Sequence, residues 1–266
     1  MARLQDKRLF LLDMDGTIYL DDRLFDGVTA FLERIREKGG RYLFLTNNSS
    51  RGVEDYIKKL ASMGIDAGRE DFLTSVDAAI DHLQRLYPGR RCYVQGTRSF
   101  YDQLAAAGID VTCDREGGAD ILLSGFDREL TFRKLEDACI LLGRGVTWLA
   151  TNPDWVCPTW YGSVPDCGSV CEMLTRATGR RPEFLGKPKP AMAELALRRT
   201  GYPAEAAAVI GDRIYTDIAC AVNAGIDSIF VLSGEGTRED IETYGIRPTW
   251  VYDDINAVFR AWEDEL

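Results

Sequence analysis

The chain has 266 residues, of which 45% are hydrophobic and 28% charged, with a formal net charge of −10. That length suffices for one large domain or two modest ones with sizeable cores, and the composition is that of an ordinary globular protein. The negative balance disfavours non-specific contact with nucleic acid or anionic membrane, and an anionic small molecule would need local positive groups or a metal to overcome it.

Short apolar runs alternate with amphipathic segments from one end to the other. The runs predict strands at 8–12, 41–45, 91–94, 120–123, 146–150, 207–210, 228–232 and 249–252. Their hydrophobicity is continuous rather than alternating, as in parallel sheets covered on both faces. Between them, residues 27–38 carry Phe31, Leu32 and Ile35 on one helical face and stop at Gly39-Gly40. Ser169 and Glu172 fit a capping box opening a helix at about 170–178. Residues 190–200 begin at Pro190 and end before Gly201, a favoured residue just past a helix. The alternation predicts an α/β protein with right-handed crossovers.

Seven cysteines are scattered without a C-x-x-C motif, and Cys167 and Cys171 form the one close pair. They are expected to be reduced and mostly buried. The start, MARLQDKRLFLLDMDG, meets charge before any signal-like apolar region develops. No apolar segment approaches the roughly 20 residues needed to span a bilayer. A cytoplasmic protein without membrane or nucleic-acid partners is the expectation.

Four polar clusters carry the chemistry, each after an apolar run: Asp13-Met14-Asp15-Gly16-Thr17, Thr46-Asn47-Asn48-Ser49-Ser50-Arg51, Gly186-Lys187-Pro188-Lys189-Pro190, and Gly211-Asp212-Arg213-Ile214-Tyr215-Thr216-Asp217. In open α/β sheets ligands bind beyond the carboxyl ends of the strands, so the four clusters should converge on one site. Asp13, Asp15 and Asp212 offer hard oxygen ligands suited to Mg²⁺. Thr46 and the N–H groups of a helix N-terminus can hold phosphate oxygens, and Lys187 brings a point positive charge to the same group. A divalent cation would make the adjacent carboxylates stable, one to attack phosphorus and the other to move protons. The single histidine, His82, falls beside Asp81, Gln84 and Arg85 on what reads as a solvated helix face, so a carboxylate must do the acid–base work.

These motifs resemble those of the haloacid dehalogenase-like (HAD) superfamily of aspartate-nucleophile phosphohydrolases. DMDGT is similar to its first motif, LTNNSSR to its second, GKPKP to its third and GDRIYTD to its fourth. The insert between the second and third, with TNPDWVCP at 151–158 and GSV at 168–170, resembles the NagD-like branch with its type IIA cap. The resemblance implies a Rossmann-like parallel-sheet core over 1–79 and 184–266, with an α/β cap inserted at 80–183. It implies that Asp13 is the nucleophile, becoming a phosphoaspartate, and that Asp15 is the general acid and base. It implies Mg²⁺ held by Asp13, the main-chain carbonyl of Asp15 and Asp212, with Asp217 standing behind these ligands. Thr46, Asn47, Asn48 and Lys187 would contact the phosphoryl group or substrate. Asp154, Trp155, Trp160 and Tyr161 of the cap could line the leaving-group pocket, although aromatics in a cap serve at least as often as its core, and a homodimer through the cap is left open.

The function this implies is Mg²⁺-dependent hydrolysis of a small phosphomonoester. A phosphomutase would differ only in what accepts the phosphoryl group. A receiver-like signalling module would share the acidic residues, the Thr and the Lys, but has no use for Asp15 or for an insert of this size. A dehalogenase would attack carbon and need no leaving-group acid.

Overall fold

The computed structural model describes residues 3–159 and 161–263, and these form two compact units. One comprises Met1–Thr46, Val53–Leu73 and Lys187–Leu266; the other comprises Asn47–Gly52 and Thr74–Gly186. Among the described residues no helix is long and apolar enough to cross a membrane.

The first unit is built on a six-stranded sheet in the order Trp250–Tyr252, Asp227–Val231, Ala207–Gly211, Leu9–Leu12, Arg41–Thr46, Phe72–Thr74. The strands from Trp250–Tyr252 through Arg41–Thr46 run parallel. Leu9–Leu12 is buried along its whole length, which is why its sequence reads as an unbroken apolar run. The helix Val28–Glu37 buries Val28, Phe31, Leu32 and Ile35, a stripe at helical spacing. Phe31 meets Phe10 edge-on at 5.1 Å and Trp262 at 5.6 Å, so the first strand, this helix and the helix Ile255–Glu263 share one aromatic core.

This strand order positions the site. The chain leaves Leu9–Leu12 towards Arg41–Thr46 on one side and later returns to Ala207–Gly211 on the other, with Leu12 beside both Phe44 and Ile210. The carboxyl ends of three neighbouring strands are thus Asp13, Thr46 and Asp212, at the point where strand order reverses.

The second unit has its own parallel sheet, ordered Glu183–Phe184, Thr147–Ala150, Ile121–Ser124, Cys92–Gln95, Val111–Thr112. One apolar cluster gathers Leu122, Trp148 and Leu174; another gathers Val76, Leu83, Phe100 and Leu123. An antiparallel hairpin pairs Val156–Thr159 with Gly162–Pro165. None of the seven cysteines is in a disulfide, and the Cys167 and Cys171 sulfurs lie 3.9 Å apart on successive turns of one helix.

Several local expectations are revised. The unit boundary falls at Thr74 rather than 80, because the helix Ser75–Leu86, opened by a Thr74–Asp77 capping box, packs Val76, Ala79 and Leu83 into the second unit. The helix expected at about 170 starts at Cys167, capped by Asp166, and Ser169 inside it donates to the Trp155 carbonyl instead. His82 is half-buried rather than on a solvated face: its ring lies 5.8 Å from that of Tyr87, and its Nε2 is shielded without a hydrogen-bond partner. Desolvation accordingly lowers its pKa.

Candidate active site

Asp13 is the first residue past Leu9–Leu12, and its N–H donates to the Ile210 carbonyl at 2.9 Å, extending the sheet pairing by one step. The chain then turns tightly. The Met14 carbonyl accepts from the Ile18 and Tyr19 N–H groups at 2.9 and 3.3 Å, and Gly16 N–H donates to the Tyr19 carbonyl at 2.8 Å. Gly16 adopts a φ of +86°, and a Cβ there would come within 2.4 Å of an Asp212 carboxylate oxygen. Glycine therefore serves both the turn and the close approach of Asp212.

Asp212 follows Ala207–Gly211, and Asp217 lies in the wide π-type turn Ile214–Ile218, a geometry that recurs at functional sites. Asp13, Asp212 and Asp217 each present a carboxylate oxygen within 4.8 Å of the others. Lys187, 3% exposed, is buried among them, its Nζ 2.5 Å from Asp13 Oδ1, 2.6 Å from Asp217 Oδ1 and 3.5 Å from the Leu45 carbonyl. Three carboxylates thus face one ammonium. Burial, then repulsion from Asp217, raises the Asp13 carboxyl well above the ordinary range against the pull of Lys187. The same two causes push Asp212 up to about 6. Burial alone would lower the Lys187 ammonium, but Asp13 and Asp217 outweigh it and hold the group firmly charged.

The two oxygens of Asp217 are already taken by donors, Oδ1 by Lys187 and Oδ2 by the Arg213 N–H at 3.2 Å. Asp212 differs. Its Oδ2 accepts the Glu235 N–H at 2.7 Å, whereas Oδ1 is shielded from solvent with no hydrogen-bond partner in the structure. A buried, unpaired carboxylate oxygen facing other carboxylates fits a hard cation.

Asp15 points outward with its side chain 68% exposed. Desolvation by the crowded surroundings raises its carboxyl, while Lys59 and Arg213 draw it down. Thr46 ends its strand buried beside the Leu45 carbonyl that Lys187 reaches. Asn47 and Asn48 belong to the second unit. There the Asn47 amide donates to Asp154 Oδ2 at 3.0 Å, its carbonyl accepts from Asn152 and Ser75, and Asn48 Oδ1 accepts from Ser50 N–H and Oγ. Trp155 and Tyr161 are 61% and 57% exposed, so neither is core of that unit; Trp160 lies outside the described residues.

Sequence reasoning missed one contributor to the site. Ser233 Oγ donates to the Gly16 carbonyl at 2.7 Å, and Gly236 N–H donates to the Asp212 carbonyl at 3.0 Å. A Cβ on Gly234 would meet Asp212 Oδ2 at 2.0 Å. The segment Ser233-Gly234-Glu235-Gly236 is therefore a fifth polar cluster after an apolar strand, visible by the rule that found the other four. Glu235 also pairs with Arg213 at 2.9 Å.

Comparison with known proteins agrees with this geometry. Residues 10–110 match the profile of haloacid dehalogenase-like hydrolases, and residues 184–258 match a second, HAD-hydrolase-like profile. The chain is 33% identical to an acid sugar phosphatase of Staphylococcus aureus over 260 residues, covering 98% of this chain and 100% of the relative. It superposes on a 4-nitrophenylphosphatase from Thermotoga maritima with a TM-score of 0.92 at 40% identity, covering 98% and 99% of the two chains. It also resembles a glycerol phosphate phosphatase from Mycobacterium tuberculosis solved with magnesium, with a TM-score of 0.90 at 32% identity, covering 97% of this chain and 78% of that one.

Proposed function

The chain belongs to the haloacid dehalogenase-like hydrolases, and from that premise we propose that it is a Mg²⁺-dependent phosphatase that cleaves small phosphomonoesters through a phosphoaspartate at Asp13. The observation that carries this reading is the meeting of Asp13, Asp212 and Asp217 around the buried Lys187, with one Asp212 oxygen unpaired. The similar proteins named for acid sugar, 4-nitrophenyl and glycerol phosphates support a small ester as substrate.

Asp13 and Asp212, with the main-chain carbonyl of Asp15, are the groups that would hold Mg²⁺. Bound there, the ion offsets the charge of the carboxylates and of the phosphoryl oxygens. Lys187 anchors Asp13 Oδ1 and keeps its carboxylate oriented for attack on phosphorus. Asp217, with both oxygens occupied by donors, fixes Lys187 rather than ligating the ion. Asp15 gives its proton to the ester oxygen as the P–O bond breaks and the bond from Asp13 to phosphorus forms. The ionised Asp15 then takes a proton from water as that water displaces Asp13. Splitting one displacement into two easier steps is the gain of covalent catalysis. Thr46, Asn47 and Asn48 are assigned to the phosphoryl group or substrate on the strength of the family motif.

Metal removal tests this directly. Treatment with EDTA is expected to abolish turnover of p-nitrophenyl phosphate, and Mg²⁺ to restore it. Ca²⁺ should inhibit, since its longer bonds and higher coordination misplace the attacking carboxylate. A second readout needs no turnover. Asp212 holds its proton up to about pH 6 in the metal-free fold, whereas an unfolded aspartate releases it near 3.9. Between those values the folded state binds more protons, so this group's contribution to stability falls as pH rises. Mg²⁺ needs the ionised form and should relieve that loss. The rise in Tm on adding Mg²⁺ should therefore be larger at about pH 7.5 than at about pH 5. Full activity without metal, or a Tm gain independent of pH, would contradict the assignment.

The inserted unit is assigned the choice among leaving groups. Trp155→Ala and Tyr161→Ala are expected to raise KM for the best natural ester in a panel of sugar, glycerol and nucleotide phosphates, while p-nitrophenyl phosphate is turned over as before. Unchanged discrimination across the panel would remove these two residues from substrate selection.

A further inference from the structure

Asp15 is flanked on both carboxylate oxygens by groups outside every recognised motif. The tight turn after Met14 brings the chain back four residues on, so that Tyr19 bridges Asp15 in the backbone and its phenol O–H donates to Asp15 Oδ2 at 3.5 Å. Tyr19 itself is fully buried, its ring fixed by the core. From the helix Val53–Ser62, Lys59 reaches the other oxygen. Its Nζ lies 3.8 Å from the centre of the Tyr19 ring and 3.9 Å from Asp15 Oδ1.

A lysine on a helix of a negatively charged protein ordinarily extends into water. Lys59 is instead folded onto an aromatic face, with its side chain 27% exposed beside an aspartate that is 68% exposed. A partly exposed pair at this distance contributes little to stability, so holding the fold together does not account for the arrangement. The ring face orients the ammonium by cation–π attraction, so the Lys59 ammonium on the Oδ1 side and the Tyr19 hydroxyl on the Oδ2 side hold the Asp15 carboxyl in one orientation.

We propose that Lys59, seated on the Tyr19 ring, is a positioning residue that orients the Asp15 carboxyl for proton delivery to the leaving-group oxygen. This rests on Asp15 being the general acid and base. In the first step the Asp15 proton passes to the ester oxygen as the P–O bond breaks and the Asp13–phosphorus bond forms. In the second, the Asp15 carboxylate accepts a proton from water as the water oxygen bonds phosphorus and Asp13 leaves.

The test compares Lys59→Met, which keeps a chain of similar length without the charge, with Lys59→Arg, which keeps the charge, both as full-length enzyme with Mg²⁺. Single-turnover release of phenol from phenyl phosphate is compared with release of nitrophenol from p-nitrophenyl phosphate, whose leaving group needs little protonation. Full acid–base catalysis is worth about 10²–10⁴-fold, and losing only its orientation should take part of that, about tenfold, from phenol release. Nitrophenol release should fall less, KM should stay within about twofold, Lys59→Arg should recover most of the rate, and Lys59→Met added to Asp15→Asn should cost no more than Asp15→Asn alone. Equal losses on both esters, a rise in KM at unchanged kcat, or no loss would overturn the role of Lys59. Asp15→Asn separates the two levels of the argument. If it too shows no dependence on the leaving group, the assignment of Asp15 fails; if it shows the dependence and Lys59→Met does not, only the role of Lys59 fails.

Discussion

Asp13→Asn is expected to abolish turnover of every phosphomonoester and to leave no covalent phosphoenzyme. The amide cannot attack phosphorus and is a poor ligand for a hard cation, so nucleophile and metal site are lost together. Loss of the nucleophile in an enzyme with a covalent intermediate costs on the order of 10⁶ in kcat. The fold should survive the change. Burial, with repulsion from Asp217 and Asp212, already raises the Asp13 carboxyl, so a neutral side chain relieves that cost in the metal-free protein, and Lys187 keeps Asp217 as a partner. Thermal denaturation without metal should therefore give a Tm no lower than that of the wild type. Residual turnover within about a hundredfold of the wild type, with the substitution verified by mass, would show that another group attacks phosphorus.

Asp15→Asn should behave differently. It preserves the main-chain carbonyl and the size of the side chain but cannot carry a proton. Turnover of alkyl phosphates should fall by about 10²–10⁴-fold, the scale of general acid–base catalysis. With p-nitrophenyl phosphate the first step needs little help, whereas release of the phosphoryl group from Asp13 still needs a base. A burst of nitrophenol approaching one equivalent per site, followed by slow steady turnover, is the expected time course in a stopped-flow record. Asp15→Asn losing the burst as well would mean that Asp15 supports the attack itself.

Most of the framework was legible in the linear sequence. Eight strands lie within a residue or two of their apolar runs; all but the half-buried Trp250–Tyr252 are buried along most of their length, and a buried parallel strand does not alternate. The strands Phe72–Thr74, Val111–Thr112 and Glu183–Phe184 were not legible, since two or three residues make no run and Glu183 is itself charged. The helix start at Asp166 was obscured by Ser169 three residues later, which has the right composition for a cap but spends its hydroxyl on Trp155.

The four motif clusters could be read from their residue types; the adjacent strands Leu9–Leu12 and Ala207–Gly211 then bring Asp13 and Asp212 together, and Lys187 and Asp217 join them. Lys59 could not be read this way. In the sequence it is the second of two lysines on an amphipathic helix, and its pairing with Asp15 and the Tyr19 ring exists only in three dimensions. Segment 47–52 shows the same limit. It continues the second motif without a break, yet it packs with the second unit through Ser49 to Thr151 at 3.0 Å and Thr97 to the Ser50 carbonyl at 3.1 Å.

The central claim is that Asp13 carries the phosphoryl group, and one measurement addresses it most directly. Asp15→Asn enzyme is mixed with p-nitrophenyl phosphate and Mg²⁺, quenched in acid during the burst, digested, and mapped by mass spectrometry. The expected result is one phosphoryl group on the peptide that spans the first motif, located at Asp13 by fragmentation, in an amount matching the nitrophenol burst. A burst without phosphorylated peptide, or a phosphoryl group on any other residue, would contradict the account.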